Sequence, residues 1–203
     1  MNYKSRKWVD LHLVDAMEEK WANVGLSEST AIRYRLRDTR IRMVSHYCWD
    51  LPSLQQVVAD IVSYRWAYLA PRYAVPYLHI ASHGSPEGLT VGDKTKISWS
   101  ALSECLLPLQ KKIDFTLPIS LSSCWGFEGY QLASQSMASY QKKQAFHTLV
   151  GPQEGVSSAT LFDAWGVFYN CLLHDFDPLE KAVEFANAKI ADPKAHLKST
   201  TGK

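Results

Sequence analysis

Residues 77–84 read YLHIASHG, an apolar run that stops at His83 and is followed at once by a glycine. A second stretch of the same pattern, PISLSSCWG at residues 118–126, carries Cys124 directly beyond its apolar run. Short apolar runs of this kind are typical of buried strands in a parallel sheet. The carboxyl ends of such strands meet at one edge of the sheet, so neighbouring strands would bring His83 and Cys124 together.

The remaining sequence alternates strand and helix patterns, which predicts an α/β fold with a mostly parallel sheet covered by helices on both faces. Residues 84–98 are polar and contain glycine, and they predict a loop and a hairpin. The first forty residues mix the two periodicities and give no assignment. The predicted strands are 39–47, 77–81, 118–122 and 146–152, and the predicted helices are 52–62, 98–107, 127–141, 160–173 and 177–190.

Two of the predicted helices have start signals in the sequence. Ser98 or Ser100 can cap the short helix that follows the hairpin. In the last helix, Asp177 can cap the first turn, and Pro178 suits that turn because its missing N–H needs no partner there. Glu180 can complete a capping box with Asp177.

The length of 203 residues fits one domain, 1–203, in which about 1–40 form an N-terminal extension of uncertain structure. Hydrophobic residues make up 46% and charged residues 21%, as in globular proteins and unlike disordered ones. A net charge of +2 without a stripe of Lys and Arg argues against nucleic-acid binding. The most basic stretch is either a solvated face or a surface for an anion or partner, and it comprises Arg33, Arg35, Arg37, Arg40 and Arg42.

The sequence predicts a cytoplasmic protein without a membrane segment. Acidic residues interrupt the first twenty positions, where a signal peptide needs an unbroken apolar core. No apolar run approaches the roughly 20 residues that span a bilayer. The four cysteines form no CxxC pair, which argues against a zinc ribbon and a disulfide framework and favours a reducing compartment.

The chemistry expected at the shared sheet edge is that of a thiol nucleophile with an imidazole partner. Cys124 precedes a predicted helix, whose amino-terminal end favours a thiolate. Gly84 and Gly126 carry no side chain, so their backbone N–H groups can approach a substrate and hold a carbonyl oxyanion. Taken singly, a cysteine is more often an inert buried residue and a histidine a structural one, so the matched placement of Cys124 and His83 carries the hypothesis.

Metal binding is the competing reading of the histidines. His79 and His83 are four residues apart, which on a strand separates them by about 13 Å, too far to share one ion. His46 and Cys48 offer a second pair without further ligands. We therefore expect no metal and no cofactor, and we expect His79 to pack inside the sheet with a hydrogen-bond partner.

An apolar strand with His-Gly, followed by a second apolar strand that ends in SSC, resembles the caspase-like (clan CD) cysteine peptidases. The CHAT-domain branch is the most similar, because LHIASHG is followed by GLTVGDKTKISWSALSECL, which resembles its hairpin and short leucine-bearing helix. The tail WGVFYNCLLHDFDPLEKAVEFANAKI also resembles the closing helices of that branch. The resemblance covers residues 40–192.

The resemblance implies a caspase-like three-layer α/β/α sandwich that hydrolyses peptide bonds through a thioester. It implies His83 as the general acid/base, Cys124 as the nucleophile, and the amides of Gly84 and Cys124 as the oxyanion hole. The expected partner is a protein or peptide substrate, and members of the clan often need dimerisation, cleavage or a ligand for activation. Small bacterial members in defence systems are the most similar, and the oligomeric state stays open. The residue before the cysteine is often alanine in the family and is Ser123 here.

The expected substrate pocket departs from the family pattern. Related sequences carry an aspartate after the fourth strand that lines a pocket for a basic P1 residue. Here the stretch is GPQEGVSSATLF, with Ser157, Ser158 or Ala159 at that position according to the alignment. Glu154 and Asp163 are nearby acids that can restore a basic preference, so basic and small or neutral P1 residues both stay open.

A second function class is a catalytically silent caspase-like module that binds a ligand or a partner protein, since a fold does not guarantee activity. The presence of both His83 and Cys124 argues against it. The aromatic-rich stretch 49–77 is either core packing or an interaction surface.

Overall fold

The computed structural model describes residues 8–16, 27–36, 41–63, 74–92, 94–112, 117–131, 148–155, 158–175 and 177–201. Its strands are β1 (Trp8–Asp15), β2 (Ile41–Tyr47), β3 (Ala74–Ala81), β4 (His83–Ser85), β5 (Gly88–Val91), β6 (Thr95–Ser98), β7 (Pro118–Ser122), β8 (Thr148–Pro152) and β9 (Leu197–Thr201). Its helices are α1 (Glu28–Arg35), α2 (Leu51–Ser63), α3 (Trp99–Lys112), α4 (Ser158–Tyr169) and α5 (Leu179–Asn187), together with a π-helix at Asn170–His174 and a 3-10 helix at Pro193–Ala195. Residues 126–131 are also helical.

The central sheet has six strands in the order β2-β1-β3-β7-β8-β9. The first five strands run parallel, and β9 pairs antiparallel with β8 at one edge. Strands β4, β5 and β6 form a separate antiparallel sheet, which confirms the predicted hairpin. The predicted mostly parallel sheet is therefore confirmed.

Two apolar clusters cover the two faces of this sheet. One joins the sheet to α2 and α3, and the other joins it to α1, α4, the π-helix and α5. The side chains of β3 alternate between them, since Leu78 and Ile80 belong to the first cluster and Tyr77 belongs to the second. This arrangement is the predicted three-layer α/β/α sandwich. Within the described ranges no helix is both long and apolar enough to cross a bilayer.

The predicted cap at Ser98 is confirmed, and the predicted cap at Asp177 is wrong. Ser98 Oγ accepts a hydrogen bond from the backbone N–H of Ala101 at 3.2 Å, so Ser98 caps α3. The predicted capping box at Asp177 is wrong, because the residue before the first turn of α5 is Pro178 and it makes no side-chain cap bond. Asp177 instead accepts a hydrogen bond from Nζ of Lys181 at 2.8 Å.

Strand β1 lies within the first forty residues, for which the sequence pattern predicts no secondary structure. It pairs with both β2 and β3, and its apolar side chains Leu11 and Leu13 are fully buried. The polar residues of this strand, Asp10, His12 and Asp15, are buried as well. Asp10 accepts two hydrogen bonds from Arg42 on β2, at 2.7 and 2.6 Å, and Asp15 accepts from the hydroxyl of Ser29 on α1.

Some element boundaries differ from the predictions, and one strand was not predicted. Strand β3 begins at Ala74, three residues earlier than expected, and β9 follows the last predicted element. The predicted helix 127–141 is described only to residue 131, where it is helical, and the rest lies outside the described residues. The first two residues of the predicted strand 146–152 lie outside them as well.

Candidate active site

The ends of β3 and β7 hold the two residues that the sequence selected. The strands are neighbours, and their last register pair is Ala81 with Ser122. His83 and Cys124 each follow two residues beyond that pair. The backbone N–H of Ser82 donates to the carbonyl oxygen of Ser122 at 3.1 Å, which keeps the two strand ends together past the ladder. The prediction that the two strands share an edge is therefore confirmed.

Gly84 brings the chain after His83 into direct contact with the chain around Cys124. A β-carbon built on Gly84 would lie 2.0 Å from the carbonyl oxygen of Cys124 and 3.0 Å from its amide nitrogen. Both neighbouring atoms belong to backbone, which cannot turn aside as a flexible side chain can. The glycine is therefore required for the close approach of these two segments.

Cys124 lies at the corner of a tight turn between β7 and the following helix. The backbone N–H of Gly126 donates to the carbonyl oxygen of Ser123 at 2.9 Å, which closes the turn. Trp125, at its third position, has a φ of 62°, the positive value that type II turns require there. A non-glycine residue in this region stores strain of about 1–3 kcal/mol, as is common at functional sites. The turn leaves Cys124 partly exposed.

The other cysteines lie in a different environment. All four cysteines are in the described part of the chain, and none forms a disulfide. Cys48, Cys105 and Cys171 are buried, whereas Cys124 is partly exposed. Burial raises the pKa of Cys48 to about 12 and that of Cys105 to about 11. It also raises the pKa of Cys171. These three thiols stay protonated near neutral pH, as structural cysteines do.

The segment after β8 borders the thiol. A β-carbon built on Gly155 would lie 4.0 Å from Sγ of Cys124, at ordinary van der Waals distance. Glu154 precedes it and is half-buried. Nε2 of Gln153 donates to Oε1 of Glu128 at 2.8 Å, so this segment is tied to the helical residues that follow the cysteine.

The remaining pocket residues of the sequence analysis lie in different settings. Ser123 is buried, and its hydroxyl has no hydrogen-bond partner among the described residues. Ser157 lies outside the described residues, and Ser158 is the first residue of α4. Asp163 is an exposed residue on α4 whose carboxylate makes an ion pair with Arg35 on α1.

A buried polar network lies beneath the strand ends. His79 is buried as expected, and its ring nitrogens contact Oη of Tyr169 at 2.8 Å and Oε1 of Glu28 at 2.7 Å. The other carboxylate oxygen of Glu28 accepts from the hydroxyl of Ser122 at 2.9 Å, and Nε1 of Trp165 donates to the same hydroxyl at 2.8 Å. Both nitrogens of His79 are thus engaged inside the protein. No sequence pattern identifies Glu28, because its partners are distant along the chain.

The fold and the geometry of the strand ends define a caspase-like α/β protein. No protein-family model matches the chain, and no curated protein resembles its sequence significantly. Solved structures do match it, among them caspase-1 from Spodoptera frugiperda, with a TM-score of 0.62 over 97% of this chain and 88% of that chain. The sequence identity is 9%, so the likeness establishes the caspase-like fold alone.

Proposed function

We propose that the chain is a cysteine endopeptidase in which Cys124 is the nucleophile and His83 is the general acid/base. One observation carries the proposal. The two residues occupy equivalent positions beyond the paired ends of β3 and β7, and the backbone of Gly84 packs against that of Cys124. A thiol and an imidazole at one sheet edge form the pair that covalent peptide hydrolysis requires.

The proposed reaction needs only groups of this site and water. His83 takes the proton of the Cys124 thiol, and the thiolate adds to the peptide carbonyl carbon. The amides of Gly84 and Cys124 hold the oxyanion of the tetrahedral intermediate. The C–N bond then breaks as His83 returns the proton to the leaving amine, which leaves a thioester. Water, activated by His83, attacks the thioester and releases the carboxylic acid and the thiol.

We assign the P1 preference to Glu154 among the acids near the predicted pocket. Glu154 is half-buried beside Gly155, which borders the thiol, whereas Asp163 is engaged by Arg35. A half-buried carboxylate next to the nucleophile favours a basic P1 side chain. Ser123, Ser157 and Ser158 stay predicted pocket residues.

The proposal also covers the branch of caspase-like peptidases to which the chain belongs. We place the chain in the CHAT-domain branch on its His-Gly block, its hairpin and its closing helices. With that branch go a cytoplasmic setting, activation by a ligand or partner protein, and a role in a bacterial defence system. The proposed partners are protein or peptide substrates, and no nucleic acid is expected.

Cleavage of a randomised peptide library tests the proposal. The wild-type chain should cut, and mass spectrometry should find no cuts with Cys124→Ala. Cys171→Ala is the matched control, since it removes a buried thiol away from the strand ends and should leave the cut sites unchanged. Cuts that persist in Cys124→Ala contradict the proposal. An absence of cuts from every chain, with alkylation of Cys124 that His83→Ala does not slow, would favour the silent binding module instead.

A further inference from the structure

The buried network beneath the site has one residue at its centre. The side chain of Glu28 is almost fully buried, and it is contributed by α1, which covers the face of the sheet opposite α2 and α3. Its two carboxylate oxygens contact different strands: one meets His79 on β3 and the other meets Ser122 on β7. A single carboxylate therefore bridges the two strands that lead to His83 and Cys124.

Each hydrogen bond of this network can be assigned a donor and an acceptor without conflict. A carboxylate only accepts, so the Nε2–H of His79 and the hydroxyl of Ser122 both donate to Glu28. Trp165 donates to the oxygen of Ser122, which leaves that hydroxyl hydrogen for Glu28. Burial raises the pKa of Tyr169 well above its usual value of 10, so its hydroxyl keeps its proton and can donate it to Nδ1 of His79. Every donor has an acceptor, and the chain of bonds ends at Glu28.

The network connects to the site through Ser122. This residue is two positions before Cys124, and its carbonyl oxygen accepts the N–H of Ser82, the residue before His83. One residue therefore receives the side-chain contact from Glu28 and makes the backbone contact that holds the two strand ends together. Ser122 therefore lies where the buried network meets the paired ends of β3 and β7.

We infer that Glu28 is a positioning residue that acts through Ser122 to fix the relative placement of Cys124 and His83. The inference rests on the proposed function, because it concerns the same thiol and imidazole. The inference makes α1 part of the functional site, because α1 contributes Glu28. Helix α1 lies on the sheet face opposite α2 and α3. Buried polar networks of this kind hold side chains in one geometry when every member is satisfied.

The test measures how strongly His83 controls the reactivity of Cys124, which requires no peptide substrate. Iodoacetamide alkylation of Cys124 is followed at neutral pH by mass spectrometry, in chains with His83 and with His83→Ala. In the wild-type chain His83→Ala should slow the reaction by about tenfold, since imidazole promotes thiolate formation. In Ser122→Ala and Glu28→Ala the same change should slow it by less than about twofold, as in a double-mutant cycle of coupled residues.

Two further variants separate positioning from general stability. Glu28→Gln keeps one acceptor oxygen and should restore part of the His83 effect that Glu28→Ala loses. Ser120→Ala is the matched control, because Ser120 is a buried serine on the same strand whose hydroxyl has no hydrogen-bond partner among the described residues. It should keep the full His83 effect. Thermal unfolding identifies the variants that are folded at the assay temperature. If Glu28→Ala does not fold, the test uses Ser122→Ala alone.

The outcomes distinguish this inference from the proposed function. If His83→Ala has no effect in the wild-type chain, the proposed function fails and this inference fails with it. If the effect is present and Ser122→Ala keeps it in full, the proposed function stands and only the inference is overturned. Loss of the effect in Ser120→Ala also overturns the inference, because it would trace the coupling to packing of the strand.

Discussion

The backbone of Gly84 lies against the backbone of Cys124, so closely that a β-carbon at Gly84 would stand 2.0 Å from the carbonyl oxygen of Cys124. The residue after the proposed general acid/base thus touches the residue proposed as nucleophile. This contact holds the two segments at one sheet edge, and no residue other than glycine fits it.

Gly84→Ala should both destabilise the chain and separate the proposed pair. The added methyl group meets backbone atoms, so the two segments must move apart at a cost of roughly 1–3 kcal/mol. Urea unfolding and the Cys124 alkylation rate measure the two effects. Gly155→Ala is the matched change, since its methyl group would only reach van der Waals contact with Sγ of Cys124. Equal stability of Gly84→Ala and wild type would contradict the contact.

The four cysteines should differ sharply in reactivity. Burial raises the pKa of Cys48 to about 12 and that of Cys105 to about 11. At pH 8 only about one Cys48 thiol in ten thousand would be ionised. Iodoacetamide should therefore modify Cys124 in the folded chain and reach Cys48 and Cys105 only after urea unfolding, as peptide mapping would show. Labelling of Cys48 at the rate of Cys124 in the folded chain would refute this expectation.

Stability should fall on mild acidification because of His12. Burial, with smaller contributions from His46 and Arg42, lowers the pKa of His12 from 6.5 to about 3. Between those values the unfolded chain binds a proton that the folded chain does not, so the free energy of unfolding falls as pH falls below 6.5. The contribution approaches about 1.4 kcal/mol for each pH unit. Urea unfolding at pH 7.5 and 5 measures the loss.

His12→Gln should reduce that pH dependence. His174→Gln is the control, because His174 is exposed and should leave the slope near that of the wild type. An unchanged slope in His12→Gln would show that other groups cause the acid sensitivity.

Ser123→Ala should be tolerated. The hydroxyl of Ser123 is buried without a hydrogen-bond partner among the described residues, so its removal relieves a desolvation cost. The change in unfolding free energy should lie between zero and a gain of about 1 kcal/mol. Peptide cleavage should continue, because the side chain of Ser123 takes no part in the proposed reaction. A shift in P1 preference would support the pocket role that the sequence analysis predicts for Ser123.

Glu154→Gln and Asp163→Asn remove the same charge at two places. If Glu154 recognises a basic P1 side chain, its substitution should lower kcat/KM for Lys and Arg substrates by about tenfold. Asp163→Asn should leave that preference unchanged and cost at most about 1 kcal/mol of stability, because its ion pair with Arg35 is exposed. A lower kcat/KM for these substrates in Asp163→Asn but not in Glu154→Gln would show that Asp163 recognises the P1 side chain.

The paired strands of the site could be predicted because β3 and β7 are short, mostly apolar runs bounded by polar residues. Both of their ends carry a reactive side chain and a glycine. Parallel pairing then follows from the alternation of strands and helices, and so does the shared edge.

Strand β1 could not be predicted in the same way. Asp10 and Asp15 are buried there, and a buried acid reads locally as a surface residue. Their partners Arg42 and Ser29 come from other elements, so the compensation is invisible in the local pattern. The same reason hides Glu28, whose contacts to His79 and Ser122 span 51 and 94 residues of sequence.

Covalent capture of Cys124 tests most directly whether Cys124 and His83 act as nucleophile and general acid/base. The folded chain is incubated with a mixture of peptidyl acyloxymethyl ketones, and the adduct is located by intact-mass and peptide mass spectrometry. We expect one adduct per chain, on Cys124, and none in Cys124→Ala. In His83→Ala the adduct should form at least about tenfold more slowly. Absence of an adduct on the folded wild-type chain, or an adduct on Cys124 that forms equally fast without His83, would contradict these roles.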